Sequence, residues 1–214
     1  MIRLHHVAQA RSFRVLWLLH EIGAEFELVP HSFDNSLRAP AFLALSPAGR
    51  VPALEVDGRA MFESGAMAEY LTESRAPHLT RALGDAERAD FLEWLHFGET
   101  IGQHLANLTQ HHIVLREDHM RSPTVMRLEA KRLAKCLEAV AAQAGAGFLL
   151  AGGFSAADVQ CGYGLYLGAR FTELSEGARA YLARLMARPA FQRALVQDGP
   201  AQIYTREFYA APEV

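Results

Sequence analysis

Ala48-Gly49-Arg50-Val51-Pro52-Ala53-Leu54-Glu55-Val56-Asp57-Gly58, followed by Phe62-Glu63-Ser64-Gly65-Ala66, decides how the rest of the chain is understood. Pro52 stands just before an apolar run, where a proline cannot donate to a strand ladder. A cis Val51-Pro52 bond resolves the conflict. It turns the chain sharply and leaves the amide and carbonyl of Val51 to pair with an extended ligand. Asp57-Gly58 signals a hairpin turn between strands expected at 53–56 and 60–62. Ser64 then follows as the expected cap of a helix whose first amides form an anion site. The stretch describes a site assembled largely from backbone to hold a small peptide.

Outward from this stretch the chain has two characters. Up to about residue 76 short strand-like and helix-like pieces alternate: a strand at 2–7, a helix at 13–22 ended by Gly23, and a strand at 26–30, which together make a βαβ unit. A short helix at 41–45, the hairpin and a helix at 65–74 complete the order βαβαββα. Residues 75–84, with Pro77 and Gly84, form the expected linker. Beyond it helical periodicity persists. One long helix is expected at 86–116, with Phe91, Leu95, Leu105, Leu108 and Leu115 apolar, and another at 124–144 with Pro123 at its start. Ser155 and Asp158 have capping-box spacing, helices are expected at 175–187 and 189–197, and 201–214 is a tail. The expectation is α/β plus all-α: a domain at 1–76 and an all-helical domain at 85–214.

Composition narrows the function classes. The chain has 214 residues, half of them hydrophobic, and a net charge of −3 with the two signs interspersed. That supports a soluble globular protein with one large or two modest cores and argues against nucleic-acid or membrane-surface partners. No segment suggests a signal peptide or a membrane span, so a cytoplasmic location is expected. Cys136 and Cys161 have no zinc or CxxC spacing and are expected to be reduced thiols. Ten histidines invite a metal assignment. However, His104 and His111 would lie about 10 Å apart along one helix, and His5 and His6 would point to opposite faces of a strand, so no metal is expected. Gly98 and Gly102 would let another helix, or an acceptor substrate, approach the long helix closely.

The Val-Pro stretch with its Glu-Ser pair resembles the thioredoxin-like half of cytosolic glutathione transferases. Val7-Ala8-Gln9-Ala10-Arg11-Ser12-Phe13-Arg14-Val15-Leu16-Trp17 resembles the Ser-Arg-Ser-x-Arg-Val-Leu-Trp opening of bacterial serine-type members, and the Ser155/Asp158 box resembles the start of the family's core helix. With the resemblance spanning nearly the whole chain, it implies a thioredoxin-like N-terminal domain, an all-helical C-terminal domain and a homodimer.

For the site, the resemblance implies that Val51 and Pro52 hold the cysteinyl backbone of glutathione and that Glu63 and Ser64 hold its γ-glutamyl end. The glycyl carboxylate needs a cation; Arg50 and Arg38 both fit, with Arg50 favoured on proximity. The family's catalytic serine falls on Ala10. Stabilisation of the thiolate then falls to Ser12, which is equally placed as a helix N-cap, to backbone amides at 11–12, or to Gln9. Arg14 could hold the loop in place, but an exposed helical arginine is the default expectation. By position in the family, a second-substrate pocket between the domains would be lined by Ala10, Gln103, His104, His111, Tyr204 and Phe208. The implied function is conjugation of glutathione, as co-substrate, to a small electrophile. The alternatives are a non-catalytic glutathione- or ligand-binding protein of the same fold, and a glutathione-dependent isomerase or peroxidase.

Overall fold

The computed structural model describes residues 1–212. Two compact units emerge: Met1–Ala82 together with Met186–Thr205, and Leu83–Leu185 together with the described residues from Arg206 onward. Compared with the expected division at 1–76 and 85–214, the first unit takes back residues 186–205, while Glu213 and Val214 lie outside the described residues.

The first unit contains β1 (Arg3–His6), α1 (Phe13–Glu21), β2 (Glu27–Pro30), a 3-10 turn at Asn35–Arg38, α2 (Pro40–Leu43), β3 (Ala53–Val56), β4 (Arg59–Met61) and α3 (Ser64–Arg75). Its four strands lie in the order β2-β1-β3-β4. β1 runs parallel to β2 and antiparallel to β3, which in turn pairs antiparallel with β4. This is the expected βαβαββα thioredoxin-like layout. In α1 every residue from Phe13 to Leu19 is buried. A helix with one covered face cannot do that; α1 is enclosed because it packs on β1, α3 and a helix from much later in the chain, α8 (Pro189–Asp198). Phe191 of α8 is fully buried, with its ring edge-on to Trp17 at 4.8 Å and to Phe13 at 5.5 Å. The apolar period of α8 shows that it has a buried face but not which partner covers it, and for that reason its place in the first unit could not be foreseen.

The second unit contains α4 (Arg88–Thr109), α5 (Pro123–Ala144), α6 (Ala156–Gly168) and α7 (Glu176–Met186). α6 is buried along nearly its whole length and begins with the expected capping box. The Asp158 carboxylate accepts from Ser155 N–H at 2.8 Å, Leu149 N–H at 3.0 Å and the Tyr181 hydroxyl at 2.5 Å. α4 and α6 approach closely through glycines. A Cβ on Gly98 would sit 2.7 Å from Gln160 Cβ, and one on Gly164 would sit 2.6 Å from Ile101 Cγ2. The long helix expected at 86–116 ends its α-helical part at Thr109 and continues as a π-helical turn, Gln110–Val114. There Leu115 N–H donates to the Gln110 carbonyl, and His111 Nδ1 lies 2.9 Å from the Asn107 carbonyl, competing with the regular ladder. Among the described residues both cysteines are free, and no helix is long and apolar enough to cross a membrane.

Candidate functional site

One end of the sheet gathers the expected site residues. Continuing the register His5↔Ala53 and Leu54↔Met61 by one or two residues places the exit of β1, the Val51-Pro52 entry to β3 and the Phe62-Glu63 exit of β4 side by side. Val51-Pro52 is cis. No hydrogen bond ties the Val51 amide or carbonyl to another described residue. Buried Ser46 holds the approach: its hydroxyl donates to the Arg50 carbonyl at 2.8 Å. Gly49, at φ 61, packs so tightly that a Cβ would lie 3.0 Å from the Leu37 carbonyl oxygen, which sets the segment carrying Arg38 against the one carrying Arg50. Both arginines are exposed and neither is ion-paired with a described residue.

At the exit of β4, Glu63 occupies a positive φ of 73° and is exposed, with no partner for its carboxylate among the described residues. A non-glycine residue held there is a local strain of the kind that clusters at binding sites. It also corrects the expected cap: Glu63 flanks the helix, and Ser64 is its first residue. The Ser64 side chain is buried and accepts from Arg14 Nη1 at 3.2 Å. Arg14 is fully buried, against the expectation of an exposed helical residue. It acts from α1 to orient the hydroxyl that would meet a ligand carboxylate. Two unpaired cations, one unpaired acid, an oriented hydroxyl and an unpaired strand edge complement an extended peptide bearing carboxylates at both ends and an ammonium.

The first loop departs from expectation. The Ser12 hydroxyl is turned inward and has no exposed surface; it accepts from Val7 N–H at 3.2 Å and lies 2.9 Å from His6 Nδ1. It neither faces a ligand nor makes a side-chain cap bond to α1. His6 Nε2 in turn lies 3.1 Å from Asp198 Oδ1. Gln9, at φ 65, donates its backbone N–H to both Asp198 oxygens at 3.1 and 3.2 Å. The Gln9 side chain accepts from Tyr204 N–H at 2.9 Å and Ile203 N–H at 3.2 Å, so it is committed to the chain and not to a thiolate. No described residue accepts the Ser12 backbone N–H, and Ser12 as a whole has no exposed surface. Sequence reasoning missed His6, Arg14 and Asp198 because no local spacing links them; Asp198 is 189 residues from Gln9.

Beside this loop, His5 joins a separate polar chain, with His31 Nε2 at 2.9 Å and Glu55 Oε1 at 3.0 Å. His5 and then Arg3 hold the Glu55 carboxyl below its usual range, while burial pushes the His31 ring down.

The residues expected to line a second-substrate pocket fall in both units: Ala10 and Tyr204 in the first, Gln103, His104, His111 and Phe208 in the second. Tyr204 is buried, its backbone paired with Gln9, and does not offer an open wall. In the second unit, His104 Nδ1 lies 2.7 Å from Glu129, whose buried carboxylate also receives Asn107 and Arg132. Burial opposes ionisation of Glu129, but these three partners together hold its carboxyl below the usual range. Gln103 is exposed and Phe208 is 44% exposed. Among the described residues no group of three or more His, Cys, Asp or Glu side chains is placed to hold a metal ion.

Comparison with known proteins agrees with this arrangement. Residues 1–73 match the family model described as the glutathione S-transferase N-terminal domain. Glutathione S-transferase 3 of Schizosaccharomyces pombe is 34% identical over 100 residues, covering 46% of this chain and 41% of the relative. The match thus spans less than half the length of that relative. Elongation factor 1-gamma of Artemia salina is 34% identical over 92 residues, 42% of this chain and 20% of that protein. Among solved structures, a glutathione S-transferase from Xylella fastidiosa superposes with a TM-score of 0.82 at 24% identity, over 92% of this chain and 98% of its own, and establishes the fold. The sequence likeness to glutathione S-transferases thus lies in the N-terminal part of the chain, and the structural likeness is one of fold.

Proposed function

We propose that the protein binds glutathione along the Val51-Pro52 edge and conjugates it to a small electrophile. The observation that carries this reading is the convergence, at one end of the sheet, of the unpaired Val51 backbone, Glu63, Ser64 and the start of α1. Arg50 or Arg38 receives the glycyl carboxylate, Glu63 the ammonium, and Ser64 with the first amides of α3 the γ-glutamyl carboxylate. The thiolate is the attacking species, and a free thiol has a pKa of about 8.5. With Ser12 buried and its Oγ turned inward, stabilisation of the sulfur anion is left to the positive end of α1. The bacterial serine-type likeness rests on Arg11-Ser12-Phe13-Arg14-Val15-Leu16-Trp17. A homodimer, a cytoplasmic location, the electrophile site around Gln103, His104, His111 and Phe208, and independence from metal belong to the same proposal.

A second reading is a non-catalytic glutathione-binding protein. Ala10, where a hydroxyl would stand in a serine-type enzyme, favours it, as does the likeness to elongation factor 1-gamma. Calorimetric titration with glutathione, read together with the ultraviolet absorbance of bound thiolate near neutral pH, separates the two. Binding with a thiolate signal and turnover of an aromatic electrophile supports the enzyme. Binding without a thiolate supports the second reading, and no binding removes both.

A further inference from the structure

The flank of α4 that meets α5, continued into the π-helical turn, carries His104, Asn107 and His111 at i, i+3 and i+7, a spacing that puts all three on one face. Each is backed by a group that only accepts. Glu129, whose carboxyl stays below the usual range against its burial, lies 2.7 Å from His104 Nδ1 and takes the Asn107 Nδ2–H on the same oxygen at 3.1 Å. The Asn107 backbone carbonyl lies 2.9 Å from His111 Nδ1.

Those contacts settle the polarity of the row. A carboxylate or a carbonyl has no proton to give, so both rings carry theirs on Nδ1 and present a bare Nε2, and the Asn107 amide turns Oδ1 away from Glu129. Arg132 donates to the other Glu129 oxygen at 2.7 Å and supplies the compensating charge, so His104 can stay neutral. No described residue bonds to either Nε2 or to Asn107 Oδ1, and none of the three atoms is sealed from solvent. His112, next in the chain, is the contrary case: its Nε2 is buried without a partner, and its ring lies against Phe171 and Tyr209. The row therefore presents three acceptors in steps of about 4–6 Å along the helix.

Acceptors take a ligand that carries donors. The row offers nothing to a carboxylate or a phosphate, and Arg127, Lys131, Arg132 and Lys135 along α5 disfavour a cation, which leaves uncharged hydroxyls. Beside the row α4 and α5 border an open, apolar groove of about 380 Å³ lined by Phe97, Arg132, Lys135, Cys136 and Ala139. Phe97 lies seven residues before His104 on the same face, and Arg132 joins the groove to the cluster at Glu129.

We propose that this face of α4 and α5 binds an uncharged hydroxylated aromatic molecule, a phenol or polyphenol, with its rings beside the groove and its hydroxyls donating to His104 Nε2, Asn107 Oδ1 and His111 Nε2. The inference deepens the glutathione reading given above, on which it rests for the occupant's being the second substrate; the binding itself needs no glutathione.

The probe is bisphenol A, titrated calorimetrically into the full chain without glutathione at about pH 8, above the ordinary histidine value. Its dimethyl ether keeps the rings and lacks the donors, and the corresponding dicarboxylate replaces the hydroxyls by anions. The bisphenol should bind at least about tenfold tighter than the ether, and the dicarboxylate no tighter than the ether. His104→Phe combined with His111→Phe should bring bisphenol and ether within about threefold of each other. His111→Phe alone, which leaves Glu129 and its partners in place, should lose part of the preference and serves should the double variant fail to fold. His78→Phe, in the first unit, should change nothing. Nitrogen NMR at the same pH should show Nε2 of His104 and His111 unprotonated and shifted by the bisphenol. Equal binding of bisphenol and ether, tighter binding of the dicarboxylate, a preference that survives the histidine substitutions, or protonated Nε2 atoms each overturns the proposal. A protein that binds the bisphenol but not glutathione keeps this site and loses the glutathione reading, and one that binds glutathione but not the bisphenol does the reverse. In the conjugation assay the bisphenol should compete with the aromatic electrophile, and a lack of competition removes the assignment to the second substrate.

Discussion

The Arg50–Ser64 segment and the Val7–Ser12 loop meet at the same end of one sheet, yet they are built in opposite ways. The first is determined locally: a cis proline, a hairpin turn and a helix start follow one another within fifteen residues, and the ligand-facing groups are mostly backbone. The second is determined from a distance, because its one positive-φ residue, Gln9, takes its position from Asp198, Ile203 and Tyr204. Local determination makes a binding surface that survives changes elsewhere. Remote determination makes the Val7–Ser12 loop depend on a helix far along the chain.

The strongest way to break this contrast is to detach that helix. Phe191→Ala empties the pocket between Trp17 and Phe13, and the first unit should lose about 3–5 kcal/mol, measured by urea unfolding followed through Trp17. A loss under about 1 kcal/mol would show α8 to be only loosely attached. On the other side, Ser64→Ala should weaken glutathione binding by about 1–3 kcal/mol, measured by calorimetry, and leave exchange at Gln9 unaltered. An intact affinity would remove Ser64 from the γ-glutamyl end. Ser12→Ala should cost about 1 kcal/mol of stability through the lost bond to Val7 N–H. It should leave the bound thiolate absorbance near the wild-type level, and a vanished signal would return the hydroxyl to the chemistry.

The smallest effect lies in the acid limb of stability. Glu55 has a depressed folded-state pKa, so the unfolded chain binds its proton more readily. The associated stabilisation is full above the unfolded-state value and is lost as pH falls through the folded one. His31, also depressed, adds loss in the same direction as pH falls through the ordinary histidine range. Glu55→Gln should flatten the decline below about pH 5 and leave the histidine part, as read from denaturant midpoints across pH.

The same contrast explains what could be seen in the sequence. Strands at 53–56 and near 60, the capping box at Ser155 and the order βαβαββα follow from period, turn chemistry and cap spacing, which act over a few residues. Gly98 was legible as a close approach because a missing side chain on a helix has few other uses. Arg14 was not, since nothing in its neighbours distinguishes a guanidinium pointing at Ser64 from one pointing at water. Ser12 was legible as a hydroxyl near the sulfur but not in its direction, which His6 and Val7 decide. The π-helical turn at Gln110–Val114 escaped for a related reason: the apolar period continues through it while the backbone ladder changes.

The first unit is discontinuous, interrupted between Ala82 and Met186 by the whole of α4 to α7. On a ribosome adding about 5–20 residues per second, the sheet and α1 emerge several seconds before α8 can join them. During that interval Trp17 and Phe13 lack the ring that covers them, and Gln9 lacks its carboxylate. A nascent chain halted before residue 198 can present the Val51-Pro52 edge but not the finished loop. Asp198 thereby makes completion of the Val7–Ser12 loop conditional on synthesis having passed through the helical unit, so that under the proposed function prematurely terminated products would carry the glutathione-binding edge without the finished loop beside it.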